Sequence, residues 1–173
     1  MEIIKKETVW KGSFMSAVRI TYRDAHEKVR TWEAVERVGI GGIVVMVAVT
    51  PGQSVLLERQ FRPPLGRQVI ELPAGLVDPG ESMEEAAKRE LIEETGWAAK
   101  ELSFLAEGPI STGASTEILR AYLCTGLDRV GKAGGDDNEI IEVTEVPLGE
   151  VGEFLRKAQA EGILVDLKVY GLI

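Results

Sequence analysis

The stretch of residues 43–49 constrains the fold most strongly, because every residue in it is apolar and most are β-branched. An apolar run this short is typical of a strand that is covered on both faces. Two candidate helices follow, at 83–94 and at about 148–158, and they could supply the two covering layers. The pattern therefore predicts an α/β fold with a mixed sheet packed between helices.

Further strands are predicted where β-rich runs lie between turn formers. Those that follow the buried run are at 54–61, 69–72, 118–124 and 140–146. The segment 131–138 is glycine-rich and acidic, and we expect it to be a mobile surface loop.

The first forty residues alternate like strands, with β-rich runs at 14–22 and 29–35 and a turn at 24–27. We divide the chain into an N-terminal strand region, 1–38, and a main domain, 39–173. The strand region could form a separate flap or pair with a second subunit, and composition leaves both alternatives open.

One helix has clear start and stop signals. Ser82 and Glu85 have the spacing of a capping box, and Gly96 stands where a left-handed cap is favoured. Residues 83–94 contain neither glycine nor proline, and the apolar residues recur every four positions. The pattern predicts an amphipathic helix with one buried face.

This helix carries three carboxylates, Glu90, Glu93 and Glu94, that lie within about one turn of each other. Neighbouring carboxylates repel one another unless a positive group lies between them. Mg²⁺ prefers oxygen ligands and often joins a few carboxylates to substrate phosphates. The cluster taken alone favours a solvated acidic face in which Arg89 pairs with Glu93, because acidic clusters on helices are common.

Composition limits the classes of function. The chain has 28 Asp and Glu against 20 Lys and Arg, a net charge of −8, which argues against a nucleic-acid partner. A small anionic substrate stays possible because a bound metal reverses the local charge. A lone cysteine, Cys124, cannot form an internal disulfide, and we expect it to be a buried inert thiol. We expect a soluble cytoplasmic protein without a membrane span or a secretory leader.

The wider spacing around the acidic helix is more specific. Gly75 is followed after five residues by Glu81, and after seven more by the run from Arg89 to Trp97, which reads RELIEETGW. This resembles the box of the Nudix hydrolase family, G-x5-E-x7-R-E-U-x-E-E-x-G-U, where U is a bulky apolar residue. Every fixed position is matched, so an accidental match is very improbable.

The flanking segments resemble the branch of the family that hydrolyses ADP-ribose and related nucleoside diphosphate sugars. They are 71–75, which reads ELPAG, 59–64, which reads RQFRPP, and a late acidic loop, 136–139. One departure concerns the S-P-G stretch common in that branch, which here reads Ser111-Thr112-Gly113. GDP-mannose or another nucleoside diphosphate sugar therefore stays open as the substrate.

The resemblance implies a fold, a loop–helix–loop on an α/β/α sandwich, and a set of metal ligands. Mg²⁺ or Mn²⁺ is expected on the carboxylates of Glu90 and Glu94, on Glu93 in many members, and on the carbonyl oxygen of Ala74. A glutamate on the late loop binds metal or acts as the base, and here Glu139 is the first choice.

The resemblance also implies the remaining roles. Asp137 is the second choice for the base, and Glu142, on the following strand, comes after it. Arg89 is expected to orient the box glutamates through hydrogen bonds, and Glu81 to hold the loop. Arg62 is the best candidate to bind a substrate phosphate, because a guanidinium donates two parallel hydrogen bonds to it, and Arg59 is a weaker one.

The resemblance implies a metal-dependent pyrophosphatase that converts ADP-ribose to AMP and ribose 5-phosphate. A homodimer is also expected, because the N-terminal region exchanges between subunits in related enzymes. In this chain Trp10 or Trp32, both in that region, could stack on the base of the substrate. A catalytically silent nucleotide-sugar-binding domain is the alternative from another class. Such domains usually carry a broken box, and this box is intact.

Overall fold

The computed structural model describes residues 1–134 and 140–173. The helices of this described part are α1 (Met83–Thr95), α2 (Val151–Ala160) and α3 (Leu167–Leu172), with a 3₁₀ turn at Leu148–Glu150. The strands are β1 (Glu2–Lys11), β2 (Met15–Arg23), β3 (Val29–Arg37), β4 (Gly42–Ala48), β5 (Ser54–Arg62), β6 (Arg67–Glu71), β7 (Ala74–Val77), β8 (Trp97–Ala98), β9 (Glu101–Pro109), β10 (Ile118–Thr125), β11 (Asp128–Arg129), β12 (Ile141–Pro147) and β13 (Leu164–Val165).

The apolar run forms β4 at the centre of the molecule, and both of its faces are buried as predicted. Val44 and Met46 pack into one core cluster with α1, whereas Val45 and Val47 pack into another with α2 and α3. Alternate residues of a strand point to opposite faces, so a single strand serves both cores. The predicted α/β sandwich with helices on both sides is confirmed.

Two mixed sheets lie between the helices. The first has the strand order β7-β4-β10-β9, in which β10 is parallel to β4 and antiparallel to β9. The second has the order β12-β5-β6-β13, with β13 parallel to β6. Because β7 pairs with β4, and α1 follows β7 directly, the acidic helix lies over the edge of the first sheet.

The start and stop signals of α1 act as the sequence predicts. The Ser82 side chain accepts from the Glu85 backbone amide, and the Glu85 carboxylate accepts from the Ser82 amide. Gly96 ends the helix at φ 73°, and its amide donates to the Ile92 carbonyl over 2.8 Å. A β-carbon on Gly96 would also lie 2.6 Å from the Gly131 carbonyl oxygen. Both the left-handed backbone conformation and the lack of space therefore favour glycine at this position.

The N-terminal strands form an antiparallel sheet of their own, β1-β2-β3. Its tight turn at 24–27 matches the prediction, and Asp24 caps it by accepting from the backbone amide of His26. The sheet is joined to the loop before β10, because the Val35 amide donates to the Ala114 carbonyl over 2.8 Å. The Trp32 indole also donates to the Gly113 carbonyl. The division of the chain at residue 38 stays a prediction.

Cys124 lies on β10 with no exposed surface. Burial raises the pKa of its thiol to about 12, so the reactive thiolate is scarce at neutral pH. We expect the native protein not to react with an aromatic disulfide reagent at pH 8, and one thiol to react after denaturation in guanidinium. A full equivalent released from the native protein would contradict this placement.

No helix in the described residues is both long enough and apolar enough to cross a membrane.

Candidate active site

Two glutamates of α1 accept hydrogen bonds from two backbone amides of β7 that are two residues apart. The Glu94 carboxylate accepts from the Ala74 amide over 3.0 Å, and the Glu90 carboxylate accepts from the Leu76 amide over 3.1 Å. Residues four apart on a helix are separated by about 6 Å along its axis, and residues two apart on a strand by about 6.7 Å. The helix and the strand therefore match in spacing, and this match fixes both carboxylates.

Gly75 lies between these two amides and allows the close approach. A β-carbon at this position would stand 1.9 Å from the carboxyl carbon of Glu90. No side chain fits in that space unless Glu90 moves. The first glycine of the motif is therefore explained by the glutamate that follows it fifteen positions later.

Arg89 ties the acidic groups together. Its guanidinium donates to both carboxylate oxygens of Glu81 over 3.0 Å, which is a bidentate pair. It also donates to Glu93 over 3.0 Å and to the Leu76 carbonyl over 2.9 Å, and it lies 2.9 Å from the Glu90 carboxylate. Its donors are used in these contacts, and its role of orienting the glutamates for catalysis stays a prediction.

The pKa values of Glu90 and Glu81 are shifted in opposite directions. Burial raises the pKa of Glu90, although the nearby Arg89 charge and the Leu76 amide oppose the rise. Hydrogen bonds from Arg89, and then from the Asp78 amide, lower the pKa of Glu81 below its ordinary value of 4.5. At Glu90 the effect of burial on the pKa thus outweighs that of the Arg89 and Leu76 contacts, whereas at Glu81 the hydrogen bonds outweigh burial.

The Glu81 shift predicts a pH dependence of stability. Because its pKa is lower in the folded state, Glu81 stabilises the fold above the ordinary pKa of 4.5, and this contribution is lost as the pH falls through the lower folded value. We expect the free energy of unfolding to fall more steeply below about pH 5 in the wild type than in Glu81→Gln. Urea denaturation at a series of pH values measures this. Glu84→Gln, an exposed position on α1, should follow the wild type, and parallel wild-type and Glu81→Gln curves would contradict the assignment.

Arg89 and the glutamates at 90, 93 and 94 line a cavity of about 680 Å³. Of the site residues predicted from the sequence, it contains the following: Arg62, Ala74, Arg89, Glu90, Glu93 and Glu94. Arg59 lies elsewhere, paired with Glu142 in a smaller cavity of about 180 Å³ against α2. Asp137 and Glu139 lie outside the described residues.

The cavity also contains charged residues that no sequence pattern marked. Arg37, at the end of β3, donates to Glu117 over 2.6 Å. Lys168 enters from α3. Arg37, Glu117 and Lys168 come from distant segments of the chain, so only the folded structure brings them together. Arg62, which the resemblance had marked, donates to Glu71 over 2.6 Å in the same cavity. The composition of the wall, cations beside carboxylates, suits a substrate that carries both phosphates and hydroxyls.

The donor set fits a hard divalent cation in an open site. Within residues 1–134 and 140–173, no group of three Asp, Glu, His or Cys side chains is placed so that it could hold a metal ion by itself. Glu90, Glu93 and Glu94 nevertheless line one cavity and offer only oxygen donors. Mg²⁺ is usually bound by one or two carboxylates together with water and substrate phosphate, so a closed cage is not required.

Comparison with known proteins agrees with this geometry. The family model of the NUDIX domain matches residues 41–167. The ADP-sugar pyrophosphatase of Mus musculus is 33% identical over 183 residues, which cover 97% of this chain and 84% of the mouse protein. The ADP-ribose pyrophosphatase of Bacillus subtilis is 40% identical over 108 residues, which cover 62% of this chain and 58% of that protein.

A solved structure described as an ADP compounds hydrolase superposes with a TM-score of 0.75 at 24% identity, covering 89% of this chain and 82% of the other. At that identity the likeness concerns the fold. The family model spans well over half of the chain, and the box that it contains is intact and assembled around one cavity. The chain therefore belongs to the Nudix hydrolase family.

Proposed function

We propose that the protein hydrolyses the diphosphate of ADP-ribose and releases AMP and ribose 5-phosphate. The observation that carries this proposal is the position of Glu90 and Glu94. Their side chains accept hydrogen bonds from backbone amides of β7 and line a cavity of about 680 Å³. Ligand sites for molecules of this size span about 300–1,000 Å³. The relatives whose names include ADP-ribose and ADP-sugar pyrophosphatase support the choice of substrate.

In this proposal Mg²⁺, which Mn²⁺ can replace, is held by Glu90, Glu94 and Glu93 with the carbonyl oxygen of Ala74. A bound divalent ion supplies charge neutralisation, polarises the phosphoryl oxygens and lowers the pKa of a coordinated water. The raised pKa of Glu90 supports the assignment, because a buried carboxylate of this kind is stabilised by a cation.

The chain's own residues then position the substrate. Arg89 and Glu81 hold the glutamates in place, since their hydrogen bonds join the loop before α1 to the helix. Arg62 donates to a substrate phosphate, and its partner Glu71 keeps the guanidinium directed into the cavity. Hydrolysis at phosphorus then depends mainly on orientation and charge.

The proton of the attacking water is taken by a carboxylate. Glu139 stays the first choice and Asp137 the second, and both belong to a segment outside the described residues. Glu142 is the weaker candidate because it pairs with Arg59 in the smaller cavity rather than facing the box. Arg59 is for the same reason a weaker substrate ligand than Arg62.

The proposal is tested with purified protein, Mg²⁺ or Mn²⁺, and a panel that contains ADP-ribose, GDP-mannose and other nucleoside diphosphate sugars. Products are separated by ion-exchange chromatography. We expect AMP and ribose 5-phosphate in equal amounts, and no release after chelation with EDTA. Turnover of another sugar nucleotide but not of ADP-ribose would change the substrate, and tight binding without turnover under any divalent metal would identify a silent binding domain.

We also propose that the protein is a homodimer. The N-terminal sheet carries large apolar side chains that are exposed in one chain, among them Trp10, Phe14 and Trp32. Exposed apolar area of this kind marks association surfaces. Light scattering coupled to size exclusion measures the mass directly, and a single-chain mass across micromolar concentrations would contradict the proposal.

A further inference from the structure

Two cations of the cavity, Arg37 and Lys168, belong to no motif. Lys168 is the only residue beyond Leu119 among the described residues that line the cavity. It comes from α3, the short helix near the end of the chain. Its side chain is 28% exposed, so it is neither buried in the core nor free in solvent.

The segment that carries Lys168 is firmly docked. Strand β13 pairs with β6, and the Asp166 amide donates to the Ile70 carbonyl over 2.9 Å. The Asp166 carboxylate in turn accepts from the Lys168 amide over 2.8 Å, which caps the start of α3. Val169, the next residue, is buried in the core cluster beside Ile70. The position of the lysine backbone is therefore fixed relative to β6, which ends at the cavity.

Lys168 differs from Arg37 and Arg62 in where its carboxylate partner lies. Arg37 and Arg62 pair with Glu117 and Glu71, and both of these glutamates also line the cavity. The partner of Lys168 is Asp166, which lines a neighbouring apolar groove that Lys168 also lines. Lys168 therefore lies where the two cavities meet, and of this ion pair only Lys168 lines the cavity of the box glutamates.

We propose that Lys168 is a substrate-binding residue whose ammonium donates to a phosphoryl oxygen of the diphosphate. This inference rests on the proposed function, since it assigns a further contact to the same site. An ammonium has three N–H donors, so Lys168 can keep its bond to Asp166 and still reach a phosphate. Its contribution is to binding, and the chemistry of bond cleavage stays with the box.

The test compares steady-state kinetics of Lys168→Met with the wild type on the best substrate of the panel. A charge-assisted hydrogen bond that is present in the ground state and in the transition state changes KM and leaves kcat alone. We expect KM to rise about tenfold in Lys168→Met at unchanged kcat. Lys168→Arg should restore most of the affinity, because it retains the charge and the donors.

A matched control is available in Lys100, which also pairs with an aspartate, Asp128, over 2.7 Å but lines none of these cavities. Lys100→Met should keep the wild-type KM. Asp166→Asn separates binding from a structural role, because asparagine still caps α3 but removes the ion pair. If Lys168 only anchored α3 through Asp166, Asp166→Asn would reproduce the rise in KM. We expect it to leave KM unchanged or to lower it.

A failure of this inference can be distinguished from a failure of the proposed function. An active wild type whose KM is retained in Lys168→Met, or whose rise in KM is shared by Asp166→Asn, would overturn this inference and leave the proposed function intact. A wild type that hydrolyses GDP-mannose but not ADP-ribose would change the substrate, and the same comparison on GDP-mannose would still decide the role of Lys168. A wild type that hydrolyses nothing in the panel would overturn both.

Discussion

Replacing Glu94 by glutamine is expected to lower kcat by several orders of magnitude, about 10³-fold or more, without unfolding the protein. Glu94 is buried, and one of its oxygens accepts from the Ala74 amide over 3.0 Å. Glutamine keeps an oxygen for that hydrogen bond and has nearly the same shape. It removes the negative charge, so at the proposed site we expect the substitution to weaken the binding of a divalent cation.

The measurement is turnover of ADP-ribose under saturating Mg²⁺, together with the thermal unfolding midpoint. Glu84→Gln is the matched control, because Glu84 is an exposed glutamate on the same helix that does not line the cavity. It should retain activity. Near-full activity in Glu94→Gln would remove Glu94 from the ligand set, and the metal site would then have to be sought elsewhere.

Adding a single methyl group at Gly75 is expected to have the second largest effect. The β-carbon of Gly75→Ala would stand 1.9 Å from the carboxyl carbon of Glu90, which is far inside contact distance. Either Glu90 leaves the Leu76 amide or α1 moves away from β7. Both displace a carboxylate from the cavity, and misplacement by about 1 Å typically costs 10²-fold in rate. We expect kcat to fall at least about 10²-fold.

The same variant should bind Mg²⁺ more weakly, which isothermal titration of the nucleotide-free protein measures. Gly149→Ala is the control, because a β-carbon there has no heavy atom within 4 Å and the residue lies on the 3₁₀ turn away from the cavity. It should behave as the wild type. Wild-type kinetics in Gly75→Ala would show that the carboxylate of Glu90 can relocate freely, which would contradict its role as a fixed ligand.

The sequence predicted most accurately those features that depend on interactions between residues close together in the chain. The start of α1 at Met83 follows from the capping box, and its end within one residue of the prediction follows from Gly96. The burial of both faces of β4 follows from the apolar run alone. Arg62 was expected at the substrate on the strength of its motif, and it lines the same cavity as the box.

Elements stabilised by tertiary contacts could not be predicted in the same way. Residues 101–109 gave no strand prediction, because β9 is an edge strand whose apolar residues Phe104 and Leu105 are consecutive and exposed rather than alternating. Residues 72–75 contain Pro73 and Gly75, which favour turns. The structure places Ala74 and Gly75 in strand β7, because pairing with β4 outweighs this local preference.

Part of the cavity wall could not be predicted from the sequence either. Arg37, Glu117 and Lys168 are separated by long stretches of chain, and no spacing rule connects them. Their neighbours are apolar or polar in the ordinary proportions of strands and short helices, so nothing marks them before folding. A motif can reveal the groups that one helix presents together, but it does not reveal the opposite side of the site.

The contact between β3 and the loop before β10 has a consequence for any attempt to prepare a minimal enzyme. Cutting the chain after residue 38 looks attractive on composition, yet it would also delete Arg37 and with it the guanidinium that pairs with Glu117. It would leave the Ala114 carbonyl and the Thr116 amide without Val35, their partner across the junction. A shortened protein would therefore lose part of the wall of this cavity together with the strands.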